Sequence, residues 1–163
     1  AMAKRANPFV AAEIGSWRGG SAIVLCEALR ASYRSGRVFC FENYAKTDGK
    51  EGPHAIPDGV MEDFQTVNTD YPEIVWEPLG SPEGVHGLLD GTLHFAFVDG
   101  AHDYDSVYAD ITALLPKMAT ESVMCGHDYN GESDGVKAAV NAWFPFAWIK
   151  EAPGDMWYVE NPR

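Results

Sequence analysis

The chain has 163 residues, enough for about one domain. Hydrophobic residues make up 46% and charged residues 22%, which supports a packed core. A formal net charge of −12, from 12 basic and 24 acidic residues, disfavours nucleic-acid partners, and no apolar run approaches the roughly 20 residues that span a bilayer.

Residues 1–7 carry Lys4 and Arg5, but an extended apolar segment follows rather than a cleavable apolar helix, so no signal peptide is expected. A first strand is expected over 9–14 and a helix over 19–34, broken by Ser35-Gly36. A second strand spans 37–41, a polar loop 43–57 and a short helix 58–68. The third strand is 74–79, with a short helix near 83–89, and the fourth strand is 94–98. Val107, Ile111, Leu114 and Leu115 share one face of a helix over 104–118. The fifth strand is 122–125 and a last helix runs over 135–144. Residues 147–150 and 157–159 close the chain as a hairpin around Pro153-Gly154. Strands alternating with helices imply right-handed crossovers and a parallel sheet covered on both faces, with the hairpin adding an antiparallel edge. Residues 1–163 therefore read as a single α/β domain, in which ligands bind beyond the carboxyl ends of the strands.

The first strand runs through Glu13 into Gly15-Ser-Trp-Arg-Gly-Gly-Ser21 and directly into a helix. Glycines at 15, 19 and 20 let the chain turn sharply and a ligand come close. The free N–H groups of the helix start favour an anion, and Glu13 offers a carboxylate for an ammonium, which suits a zwitterion joined to a nucleoside. The spacing Gly-x-x-x-Gly-Gly departs from the nicotinamide dinucleotide fingerprint. Glu42 ends the second strand, roughly 20–30 residues beyond the loop, where an acid commonly binds ribose hydroxyls. Asn43 follows it, and Gly80-Ser81 follows the third strand.

The fourth strand ends in Asp99-Gly-Ala-His-Asp-Tyr104 and the fifth in Gly126-His-Asp-Tyr-Asn130. If these strands are neighbours, their tips lie about 5 Å apart, so Asp99 and Asp128 reach one hard cation. His102 stands three residues after Asp99, and an imidazole with a pKa of about 6.5 is a competent general base. Asp103 has the alternative task of capping the next helix, and His127 that of a hydrogen-bonding core histidine. His54, His86 and His94 have no carboxylates around them and read as structural. Cys26, Cys40 and Cys125 read as buried thiols of a reducing, cytoplasmic protein.

Glu13-Ile-Gly-Ser-Trp-Arg-Gly-Gly-Ser21 resembles motif I of the class I S-adenosylmethionine-dependent methyltransferases. Phe97-Val-Asp-Gly-Ala-His-Asp-Tyr104 and Gly126-His-Asp-Tyr129 narrow the resemblance to the small-molecule O-methyltransferases that include the macrocin-type sugar enzymes. It implies a Rossmann-like, doubly wound sheet of seven strands in the order 3-2-1-4-5-7-6, the last antiparallel, with helices on both faces. It implies that Glu13, Gly15, Ser16, Trp17, Gly19, Gly20 and Ser21 hold the methionine part of S-adenosylmethionine. Glu42 then meets the ribose hydroxyls, Gly80 and Ser81 the adenine, and Asn43, Asp99, Gly100, Ala101 and His102 border the same cofactor. Magnesium or another divalent cation falls to Asp99 and Asp128 with His127 beside them, and His102 becomes the catalytic base. Relatives carry Glu beside the aspartate at 128, or Asn just after it, where this chain has His127 and Tyr129; Asn130 or water is then the substitute ligand. About eight residues precede the first strand, so the substrate pocket is expected from the loops 43–57 and 130–134 or from a second subunit of a homo-oligomer. The implied reaction is metal-assisted O-methylation of a small-molecule hydroxyl on a sugar, catechol or similar diol. The alternative is a non-catalytic module that binds S-adenosylmethionine or a nucleoside.

Overall fold

Strand β1 (Phe9–Ile14) occupies the middle of a seven-stranded sheet. Its last four residues are all buried rather than alternating, as expected of a strand covered on both faces. In the computed structural model, which describes residues 8–32, 35–44, 57–130 and 134–163, the elements follow in the expected alternation. After β1 come α1 (Gly20–Ala31), β2 (Gly36–Phe41), α2 (Val60–Asp70), β3 (Ile74–Glu77) and β4 (Leu93–Val98). Then come α3 (Tyr104–Leu114), β5 (Met118–Gly126), α4 (Asp134–Trp143), β6 (Lys150–Ala152) and β7 (Met156–Glu160). The strand order is β3-β2-β1-β4-β5-β7-β6, as the resemblance implies. Strands β1 to β5 pair in parallel, and β7 runs antiparallel to both β5 and β6.

Alternate residues of β1 feed two separate cores. Ala11 packs with Ala22, Cys26 and Leu29 of α1 and Phe64 of α2 on one face. Ala12 and Ile14 pack with Val107, Ile111 and Leu114 of α3 and Val136, Ala139 and Val140 of α4 on the other. The connections leave β1 and β4 in opposite directions along the sheet, so the carboxyl ends of these two neighbours frame the switch point.

Several boundaries differ from the sequence reading. The helix expected to reach 118 stops at Leu114, because Pro116 lacks an N–H and disfavours helical geometry in the residue before it. Leu115–Lys117 forms a 3-10 turn, and β5 starts at Met118, which is fully buried, rather than at 122. Strand β3 ends at Glu77, ahead of Pro78. Residues 85–87 form only a 3-10 turn. Phe146–Trp148 is another such turn, hydrogen-bonded from Trp148 N to the Pro145 carbonyl, so the hairpin strand begins at Lys150. The end of the first helix at 33–34, His54 and most of the 43–57 loop lie outside the described residues.

All three cysteines are buried and unbridged. Burial raises each thiol, Cys26 to about 11 and Cys125 to about 12. Thiolate is the reactive form. A disulfide reagent at pH 8 is therefore expected to label the native protein far more slowly than urea-unfolded protein; prompt labelling of the native state would contradict this packing.

Candidate active site

The loop after β1 is held from three sides. Gly15 has φ +83°, and a Cβ there would lie 2.1 Å from the Asp99 carbonyl oxygen. Only glycine satisfies both the left-handed backbone and that contact. Gly19, at φ +85°, packs against α2, where an added Cβ would sit 3.0 Å from Val67 Cγ1. Of the three glycines expected to admit a ligand, Gly20 alone has no described atom within 4 Å of an added Cβ. Gly15 and Gly19 instead let neighbouring parts of the fold approach. No side chain caps the start of α1.

Glu13 is completely buried, and its Oε2 accepts from Cys40 Sγ at 3.6 Å. Burial raises its carboxyl above the ordinary range, against the pull of the nearby Ser21 and Ser16 hydroxyls. Neither hydroxyl closes a well-formed bond to it: Glu13 Oε1 and Ser16 Oγ are both buried without a hydrogen-bond partner among the described residues. Buried polar atoms in folded proteins are rarely left so.

Trp17, half exposed, adopts a positive φ of 47°, unusual for a bulky residue. Its backbone is tied at both ends: its N–H donates to Glu42 Oε2 at 3.0 Å, and its carbonyl accepts from Tyr44 Oη at 2.5 Å. Trp76 Nε1 donates to the Glu42 carbonyl at 3.0 Å. Glu42 thus joins the tip of β2 to the glycine loop, and burial raises its carboxyl despite the backbone donors around it. Gly80 abuts Asn43, an added Cβ lying 3.1 Å from the Asn43 Cβ. Ser81 donates its hydroxyl to Asp110 Oδ1 at 2.5 Å.

Strands β4 and β5 pair through Val98 and Gly126, which brings their tips together. Asp99 N donates to the Ile14 carbonyl at 2.9 Å and His127 N to the Val98 carbonyl at 3.2 Å, so all three tips share one hydrogen-bonded edge. There Asp99, His102 and Asp128 each offer a ligand atom, all within 4.8 Å of one another. His102 Nε2 lies 3.1 Å and His127 Nδ1 3.0 Å from the same oxygen, Asp128 Oδ2. His127 Nδ1 stands 4.0 Å from Asp99 Oδ1. Burial, and then the Asp128 charge, raise Asp99 to about 6 against the opposing pull of His127 and His102. Hydrogen bonding to Asp128 raises His127.

The sequence places His102 beside an ion at Asp99 and His127 beside both aspartates; in the structure both imidazoles meet Asp128, and the group whose ligand atoms lie within 4.8 Å of one another is Asp99, His102 and Asp128. Ala101 is exposed in the loop between Asp99 and His102. Asp103 caps α3 by accepting from Ser106 N at 3.0 Å. Tyr129 is core, its hydroxyl donating to Asn141 Oδ1 at 2.8 Å. Asn130, read as a substitute ligand, is instead bound to Glu151 at 3.0 Å and Lys137 at 2.9 Å. His94 accepts from Val10 N at 3.2 Å and stacks on Phe9, a structural role.

The sequence reading missed Gly135. A Cβ there would lie 2.4 Å from the His102 carbonyl oxygen and 2.8 Å from Tyr104 N, so α4 seats the His102 loop directly. No local pattern marks this glycine, because its reason lies in a chain segment some thirty residues away. Gly135→Ala is expected to push α4 away from the His102 loop and to destabilise the fold by about 1–3 kcal/mol, the scale of an overpacked contact. A thermal melt checks this, and an unchanged melting temperature would contradict the contact.

A family model described as a methyltransferase domain matches residues 12–129. The chain belongs to this family of methyltransferases, of the S-adenosylmethionine-dependent class. This methyltransferase shares its fold with many solved structures. It resembles the O-methyltransferase NovP at 22% identity and TM-score 0.69, over 96% of this chain and 73% of that one. It resembles CalS11, a TDP-rhamnose 3'-O-methyltransferase of calicheamicin biosynthesis, at 16% identity and TM-score 0.65, over 94% and 71%. A precorrin-6y C5,15-methyltransferase from Geobacter metallireducens follows at 17% identity and TM-score 0.61, over 94% and 79%. The shared fold thus spans methyltransferases named for different acceptor atoms. No curated protein matches the methyltransferase's sequence. No helix among its described residues is long and apolar enough to cross a membrane.

Proposed function

We propose that the protein methylates a hydroxyl oxygen of a small molecule, with a divalent cation assisting. The observation that carries this reading is the convergence of Asp99, His102 and Asp128 at the tips of β4 and β5, beside the glycine loop. The residues fit both absent groups. Among the described residues no partner meets Glu13 Oε1 or Ser16 Oγ, both buried, and the ammonium of a methionine moiety would suit them. Two carboxylates close together, one held above its ordinary range, match the oxygen preference of magnesium, which keeps several waters.

Glu13, Ser16, Ser21 and Gly20 would hold the methionine end of S-adenosylmethionine, Glu42 and Asn43 the ribose, and Ser81 the base. The bound cofactor supplies an activated sulfonium methyl. A cation held by Asp99 and Asp128 supplies charge that lowers the pKa of a nearby hydroxyl. His102, whose Nε2 lies 3.1 Å from Asp128 Oδ2, would be oriented by that carboxylate and would take the acceptor's proton. The acceptor would be a vicinal diol, such as a sugar or catechol, or an α-hydroxy acid.

The test is transfer of labelled methyl from S-adenosylmethionine to catechol, a sugar diol and an α-hydroxy acid, with magnesium or with EDTA. Methyl ethers formed with magnesium and lost with EDTA are expected. Methyl groups found on carbon or nitrogen, or a rate unaffected by EDTA, would defeat the reading. Cofactor binding without transfer to any hydroxyl would point to a binding module instead.

A further inference from the structure

Asp110 is a buried carboxyl that this mechanism does not use. It lies on the sheet-facing side of α3 and is only 5% exposed. A carboxylate so placed is costly unless hydrogen-bonded. Its Oδ1 accepts from Ser81 Oγ at 2.5 Å, a length typical of a hydroxyl bonded to an ionised carboxylate. Its Oδ2 faces the loop after β4, where a Cβ on Gly100 would lie 3.8 Å away. One side chain of α3 therefore sits between the loop after β3 and the loop after β4, both at the carboxyl edge of the sheet.

A serine hydroxyl has one hydrogen and two lone pairs. The hydrogen of Ser81 is committed to Asp110, so toward any further partner Ser81 only accepts. Ser81 follows Gly80, which abuts Asn43, itself next to Glu42. A base carried on a ribose at Glu42 and Asn43 would extend toward this acceptor. We infer that Asp110 is a positioning residue that makes Ser81 an obligate acceptor, and that it thereby selects a nucleoside cofactor with a 6-amino purine over one with a 6-oxo purine. A 6-amino group donates to Ser81. A 6-oxo group would set two acceptors face to face, leaving both unpaired. The inference rests on the cofactor reading given above.

Calorimetry on the full chain with S-adenosyl-L-homocysteine and S-inosyl-L-homocysteine tests it. Wild-type protein is expected to bind the adenosyl compound at least about 10-fold more tightly, the usual scale for one unpaired buried acceptor. In Asp110→Leu the Ser81 hydroxyl is free to rotate and donate, so the preference should shrink to about threefold or less. Circular dichroism and a cooperative melt establish that this variant is folded. Ser81→Ala removes the acceptor and should shrink the preference likewise; it carries the test if Asp110→Leu does not fold. A wild type without preference, or a folded variant that keeps the full preference, overturns the role of Asp110 and leaves the cofactor reading standing. If wild-type protein binds neither compound, the cofactor reading itself falls.

Discussion

Asp99→Asn is expected to lower metal-dependent methyl transfer about 100-fold or more, the scale of losing one charged ligand to a Lewis-acid cation. The same substitution should stabilise the metal-free protein. Asp99 is raised from 3.8 to about 6, so between those values the folded chain binds a proton that the unfolded chain has released. Stability contributed by that proton is present at low pH and is lost as pH rises through about 6. Above that, the folded state carries a partly buried, poorly compensated carboxylate. The side chain is 32% exposed, so after solvent screening its removal is worth about 1 kcal/mol, or about 2–4 °C in melting temperature. His127 acts in the same sense: raised by Asp128, it contributes stability at pH below its ordinary 6.5 that fades as pH climbs past its folded value. Melting curves at pH 8 with EDTA test the gain; an Asp99→Asn protein that melts below wild type would show that the charge is already compensated. Activity carries the opposite pH dependence. Transfer should decline as pH falls through about 6, because protonated Asp99 no longer attracts a cation.

His102→Ala should lower turnover about 100-fold to 10,000-fold, the range typical of a positioned general base. Affinity for S-adenosylhomocysteine should stay within about threefold, since His102 is exposed and its Nε2 meets Asp128. Metal dependence separates His102 from its neighbour. If His102 only completes a metal site, excess magnesium should restore activity to His102→Ala; if it takes a proton, magnesium will not. His127→Ala is the control, because its imidazole contacts the same Asp128 oxygen. Equal losses in the two variants would remove the distinction drawn here between base and flank.

Much of this molecule is legible without coordinates, and the successes share a cause. The apolar run 9–14 gives β1 to the residue, because a central strand must be hydrophobic on both faces and its neighbours are Pro8 and Gly15. The acids at 13, 42, 99 and 128 stand out because charges that close apolar strands sit at the edge where ligands bind. The errors cluster where distant contacts outweigh local pattern. Ser122 looked like a strand start, yet Met118 enters the sheet because Pro116 ends the helix and the core accepts its side chain. Asn130 looked available, but Lys137 and Glu151 claim it.

By itself the sequence determined the order of strands and helices, the glycine turn and the acidic strand ends, since these follow from periodicity and from residues that only certain backbones accept. Tertiary structure alone decided that Gly15 yields to the Asp99 backbone, that Gly135 seats His102, and that Asp110 claims the Ser81 hydroxyl. Each of these is a contact between segments far apart along the chain, and chain spacing carries no information about which side chains meet when a sheet closes.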